Sequence, residues 1–234
     1  MDTENVTKPT LWYWPIAGLG AACRLALLHA VGADGFEDKL VEDFGVFAAK
    51  SKEPNCAFLN LPFIAFPGSK APVSQSNAVL TSIGRRFNLG GANVEEQDRV
   101  DELLSTFQDF QGEYVSMSYS CSGAEFDKYK ESFLAKSVPY YIGGLENVMA
   151  THGGKYLAGD SVTVADFKAW GYVDCVRVLT GAATRPDVVK PWPRLHSWAI
   201  AMDQLPAVKV YDEKYGTWAA NASMAHWGNK RTTE

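Results

Sequence analysis

From Thr10 to Ile16 the chain is aromatic and apolar, a pattern that predicts a strand, and Gly18 breaks it. Leu19, Cys23, Ala26 and Ala30 then recur at helical spacing, so a helix runs to about Val31 and stops at Gly32. Phe36 to Val41 reads as a second strand, while Ala48 to Pro54 is ambiguous. Leu61 to Phe66 is a short apolar strand beginning at a proline. Pro67-Gly68 is a turn signal, and Ala71 to Ser74 pairs back as a hairpin. Gln75 to Asn88 follows as a helix, with Ala78, Val79, Ile83 and Phe87 on one side. The order β-α-β-(α)-β-β-α describes a compact α/β domain over residues 10–89.

After the glycine-rich linker Leu89 to Asn93 the strand signals fade. Val100, Leu103, Leu104, Phe107, Phe110 and Tyr114 form a helical stripe, which predicts one long helix from about Val94 to Tyr119. Phe126 to Ala150 is helical, with Pro139 expected to split or kink it, and Gly153-Gly154 ends it. Helices follow at about Thr163–Leu179, Pro193–Gln204 and Ala207–Lys214, and the chain is irregular from Ala219. The second domain, 94–234, is therefore expected to be all-helical. The fold class is α/β plus all-α, preceded by a short disordered tail at 1–9.

Composition narrows the chemistry. The 234 residues are 47% hydrophobic, enough for one large or two small cores, and 21% charged. A formal net charge of -5 gives no general attraction to nucleic acid or to anionic membranes. No apolar run is long enough to cross a bilayer, and Met1 to Pro9 lacks the apolar core of a secretory signal. Cys23, Cys56, Cys121 and Cys175 are scattered without a CxxC pair, which suits free thiols in a reducing compartment. The four histidines show no ligand spacing. The expectation is a cytoplasmic protein with no metal, no nucleic-acid partner and no membrane partner.

Four segments carry candidate chemistry. Leu61-Pro62 stands directly before a strand. It reads either as an edge or turn proline, or as a cis bond that turns the Leu61 backbone outward towards a peptide-like ligand. Gln75-Ser76-Asn77 opens a helix. Capping alone explains Ser and Asn there, yet free N–H groups at a helix start also make a carboxylate site. Thr163-Val164-Ala165-Asp166 is a capping box with Val162 and Phe167 as its hydrophobic staple, a structural device. Tyr13-Trp14 closes the first strand. Between Leu11 and Leu28 there is no Ser or Thr, and Cys23 lies well inside the helix. A hydroxyl or thiol acting at this first strand–helix turn is then best supplied by Tyr13.

Taken together, these segments resemble the glutathione site of mu- and pi-class glutathione S-transferases. The likeness rests on Tyr13-Trp14 before a Gly18-Leu19 turn, on Asn60-Leu61-Pro62-Phe63, and on Gln75-Ser76-Asn77-Ala78 followed by Gly84-Arg85. Gly159 to Phe167 is similar to that family's capping-box segment, and Trp227-Gly228-Asn229-Lys230 to the mu-class C-terminus. The resemblance covers nearly the whole chain beyond the N-terminal tail.

The resemblance implies a thioredoxin-like domain followed by a helical-bundle domain, with the site in the cleft between them. It implies a cytosolic enzyme of the tyrosine type that conjugates glutathione to hydrophobic electrophiles. Tyr13 aligns with the catalytic tyrosine. Trp14 and Leu19 match the lining of the glutathione pocket, and Asn60, Leu61 and Pro62 the segment that pairs with the cysteinyl backbone. Gln75 and Ser76 match the γ-glutamyl carboxylate site. Asp109 matches an aspartate that reaches the partner subunit's glutathione, and Tyr119 a tyrosine facing the electrophile. A homodimer is implied, with Phe58 as the aromatic inserted into the partner.

There are departures. The stretch before Asn60 is shorter than in the mu class, and the mu loop with its arginine is absent. Phe47 is nearest to that class's tryptophan, and Lys50 or Lys52 stands for the lysine that holds the glycyl carboxylate. Pro15 is a pi-like feature. The same fold also serves ligandin-like carriers, lens-type structural proteins and sigma-like prostaglandin isomerases, but the retained Tyr13 and glutathione motifs favour the transferase.

Overall fold

The computed structural model describes residues 6–52, 56 and 58–230. A four-stranded sheet has the order β2-β1-β3-β4. Strand β1 (Thr10–Tyr13) is buried along its whole length at the centre. It runs parallel to β2 (Glu37–Leu40) and antiparallel to β3 (Phe63–Ala65), and β4 (Val73–Ser74) closes the far edge. The sequence of β2, Glu-Asp-Lys-Leu, suits an edge, where charge discourages pairing with another chain.

Helix α1 (Gly20–Val31) is buried from Gly20 to Leu28 because it is covered on both sides. One side faces the sheet, and the other packs on α7 (Val164–Thr180) and α10 (Pro206–Tyr215) of the helical part. An apolar core therefore runs without a break from Leu11 to Tyr215. Helix α3 (Ser76–Phe87) ends at Asn88, whose left-handed conformation (φ 57°) lets its N–H return to the Gly84 carbonyl. The α/β order is the expected thioredoxin-like plan, and among the described residues everything regular from Val94 onward is helical.

The ambiguous stretch around Ala48 belongs to α2 (Phe44–Lys50), capped by the Asp43 carboxylate on the Gly45 N–H. Pro54 lies outside the described residues. Helix α4 (Val94–Ser120) follows the predicted stripe and starts at Asn93, whose side chain accepts from the Glu96 N–H. Pro139 does not end its helix, but the α-helical turns are interrupted around it. Between α5 (Gly123–Ser132) and α6 (Gly143–His152) the chain continues as a π-helical segment, Phe133–Ile142, whose wider turn accommodates the missing proline N–H.

A short helix not predicted from the sequence, α8 (Arg185–Val189), precedes α9 (Pro193–Asp203). Part of the expected tail, 1–9, is described. Val6 packs on the site cluster, and the Pro9 carbonyl accepts from the Glu37 N–H. No helix among the described residues is long and apolar enough to cross a membrane.

Candidate active site

A second, smaller apolar cluster lies on the other face of the sheet. It contains Trp12, Tyr13, Val41, Leu61, Phe63 and Ala65, with Trp14, Leu19 and Phe47 packed against it. Five of the residues singled out from the sequence thus meet in one place. Tyr13 is 4% exposed, and its hydroxyl accepts a hydrogen bond from the Leu19 backbone N–H at 2.8 Å. Leu19 is the residue at which α1 begins, so its N–H has no partner inside the helix and is free to point at the phenol.

A phenol oxygen has one proton to give and lone pairs to receive. The Leu19 bond uses a lone pair and leaves the proton unspent. Burial drives the Tyr13 phenol well above its ordinary pKa, against the lowering by the Leu19 N–H and the Arg24 guanidinium. Tyr13 therefore stays protonated through neutral pH.

The backbone around Tyr13 is tightly fitted. A Cβ at Gly20 would fall 2.3 Å from the Tyr13 ring, and one at Gly18, where φ is +38°, 2.6 Å from its hydroxyl. The fully buried Arg24 fixes the loop between β1 and α1. It donates to the Ile16 carbonyl at 2.8 Å and the Trp14 carbonyl at 3.1 Å, pairs with Asp38 at 2.9 Å, and lies 5.5 Å from the centre of the Tyr13 ring. Sequence reasoning missed Arg24. Its signal was a lone cation inside the apolar run of α1.

Trp14 stacks on Phe44 and meets Phe47 edge-on, forming an aromatic wall. The Leu61–Pro62 bond is cis, and the Leu61 N–H is held by the Asn60 side chain at 2.9 Å. Lys50 is buried at the end of α2, and Lys52, just beyond it, is exposed. Gln75 has φ 73°, a conformation that costs a non-glycine residue about 1–3 kcal/mol and that clusters at ligand sites. It leads into Ser76, buried at the first position of α3. Asp109 is exposed on α4, two residues before Gln111.

Tyr119, near the end of α4, is half-buried and close enough to Tyr13 to act on it electrostatically. Its hydroxyl accepts from the Ala222 N–H at 2.9 Å, and burial raises its pKa. The irregular C-terminal segment is thereby fastened to the site. The Ala219 and Ala220 carbonyls accept from the Ala17 and Gly18 N–H groups at 2.9 and 3.0 Å, and the His226 N–H donates to the Ser118 carbonyl.

A second residue missed from the sequence is Lys168 on α7. It is 3% exposed, and its Nζ donates to Gln111 Oε1 at 3.1 Å and to Ser76 Oγ at 3.4 Å. Burial lowers its pKa to about 8. Among the described residues no cluster of His, Cys, Asp and Glu is arranged to hold a metal.

Residues 108–215 match the family model for the glutathione S-transferase C-terminal domain. A mouse protein, glutathione S-transferase Mu 6, is 29% identical over 230 residues, covering 94% of this chain and 99% of its own. A glutathione S-transferase of Tyrophagus putrescentiae is 28% identical, covering 96% of this chain and 98% of its own. The solved structure of the glutathione S-transferase Blo t 8 superposes with a TM-score of 0.81 at 20% identity, covering 94% and 99% of the two chains. Over nearly its whole length the chain is similar to glutathione S-transferases, and residues 108–215 match their C-terminal domain. In this chain Tyr13, Trp14, Leu19, Phe47 and Leu61 gather in one cluster, and Ser76 opens α3. Phe58, the expected dimer contact, is 87% exposed, and its carbonyl accepts from the Ser74 hydroxyl.

Proposed function

We propose that this protein conjugates the thiolate of glutathione to small hydrophobic electrophiles. The observation that carries the reading is the Tyr13 hydroxyl, buried, oriented by the Leu19 N–H and still holding its own proton. A free thiol has a pKa of ~8.5, so little is ionised at neutral pH. A hydrogen bond from Tyr13 to the sulfur stabilises the anion. A depression of about two units corresponds to roughly 2.7 kcal/mol. The thiolate attacks the electrophile, and the Tyr119 hydroxyl, which also keeps its proton, stabilises negative charge developing on it.

In this reading residues 10–89 form the glutathione-binding domain, and 94–234 contribute the electrophile side. Trp14, Leu19 and Phe47 line the glutathione pocket, and Asn60, Leu61 and Pro62 present backbone to the cysteinyl residue. Gln75 and Ser76 take the γ-glutamyl carboxylate, Lys50 or Lys52 takes the glycyl carboxylate, and Asp109 reaches across to the partner's site. The enzyme acts as a cytoplasmic homodimer, with glutathione as co-substrate and no metal. Retention on immobilised glutathione together with conjugation of chloro-dinitrobenzene tests the proposal. Retention without turnover would indicate a carrier on this fold, and neither would overturn the glutathione reading itself.

A further inference from the structure

Lys168 lies where helices from both parts of the molecule converge. It projects from α7 between α3, which offers the Ser76 hydroxyl, and α4, which offers the Gln111 amide oxygen. The Tyr172 ring is 5.5 Å away on its own helix. From α1 it faces Cys23, whose thiol is pushed up to about 12 by burial and so carries no charge at neutral pH. The oxygens it meets are uncharged, and Gln111 Oε1 also accepts from the Tyr172 hydroxyl at 3.0 Å. Among the described residues, no carboxylate pairs with it or appreciably shifts its titration.

A buried ammonium without a counter-ion is costly, and an amide or a thioether would bridge the same helices at less expense. One of its two hydrogen-bond partners lies where that charge can be answered. Ser76 Oγ sits at the first position of α3, where the free N–H groups and the positive end of the helix dipole also favour an anion. With Lys168 donating to its oxygen, the Ser76 hydroxyl is left to turn its own proton outward.

We infer that Lys168 is a positioning residue for the γ-glutamyl α-carboxylate of glutathione, reaching from the helical part to orient the Ser76 hydroxyl and to supply the countercharge behind it. This rests on the glutathione-binding reading above and deepens it. Even with burial, a lysine that titrates near pH 8 remains largely protonated at neutral pH, so the charge is present when it is needed. The two parts of the molecule are then coupled through the ligand's charge, since α7 contributes to a site built on the thioredoxin-like domain.

The test compares binding of glutathione with binding of an analogue in which the γ-glutamyl residue lacks only its α-carboxylate, using wild-type protein, Lys168→Met and Lys168→Gln. Wild type is expected to prefer glutathione, and each variant to lose about tenfold of that preference while binding the analogue as wild type does. A role confined to packing would weaken both ligands together and leave the preference intact, which overturns the inference. Lys168→Gln keeps a polar group at the site and preserves the test if Lys168→Met folds poorly. Wild-type protein that binds neither ligand would overturn the glutathione reading as a whole, a different outcome from a preference that the variants retain.

Discussion

At the Tyr13 hydroxyl, burial and hydrogen bonding act together to make a donor. Burial keeps the phenol protonated, and the Leu19 N–H aligns its oxygen without consuming its proton. Tyr13→Phe removes only that oxygen, so the cluster around the ring should survive and glutathione should still bind. The pKa of the bound thiol should rise towards the free value, and turnover at neutral pH should fall by about one to two orders of magnitude. Thiolate absorbance of bound glutathione against pH is the measurement, and coincident curves for wild type and mutant would assign the work to another donor. The Leu19 N–H, the nearest substitute, is committed to the Tyr13 oxygen. The place of Tyr13 in the fold was legible in the sequence, because it ends an apolar strand just before a glycine turn. Arg24 and Lys168 were not. A cation within an apolar helix does not reveal which neighbour it meets, and both meet residues distant in the chain: Arg24 the carbonyl-lined loop and Asp38, Lys168 a serine 92 positions away.

Among the elements, the capping box is the case where a local motif and the tertiary core coincide. The Asp166 carboxylate is fully buried at the start of α7 and accepts from the Thr163 N–H and hydroxyl, the Leu157 N–H and the Trp198 indole. The sequence showed the first turn of that helix. It could not show that the same carboxylate also ties the loop before α7 to α9. Asp166→Ala should strand four buried donors and destabilise the protein by about 3–5 kcal/mol, the range for breaking a buried charged network. Urea unfolding measures it, and a loss below about 1 kcal/mol would reduce the motif to an ordinary cap. The differences from expectation also have local causes. Helix α8 is only five residues long, too short for a hydrophobic period, although Thr184 and Asp187 form a capping box around Pro186. Pro139 was read as splitting or kinking its helix because a strict α-helix has no room for it, and the α-helical turns do give way there to a wider π-helical segment.

On the scale of the whole molecule, two exposed aromatic residues fit the homodimer proposed above. Phe58 is 87% exposed, with its backbone anchored by Ser74 at the edge of the sheet, and Tyr140 on the π-helical segment is 73% exposed, edge-on to Tyr141. One belongs to the α/β part and the other to the helical part. A two-fold interface repeats every contact, so a Phe58 seated against the partner's helical part is matched by the reciprocal contact, and each subunit covers an aromatic that it cannot cover itself. Burying one phenylalanine stabilises by roughly 1.5–3 kcal/mol. Because the contact occurs twice, Phe58→Ala should weaken the dimer by about two to four orders of magnitude in dissociation constant. The mutation removes nothing from the core of the subunit, so circular dichroism should be unchanged. Analytical ultracentrifugation across a concentration series should show the proposed wild-type dimer and, at the same concentrations, a mutant monomer. A mutant dimer as tight as wild type would mean that other surfaces hold the subunits together and that Phe58 is exposed for another reason.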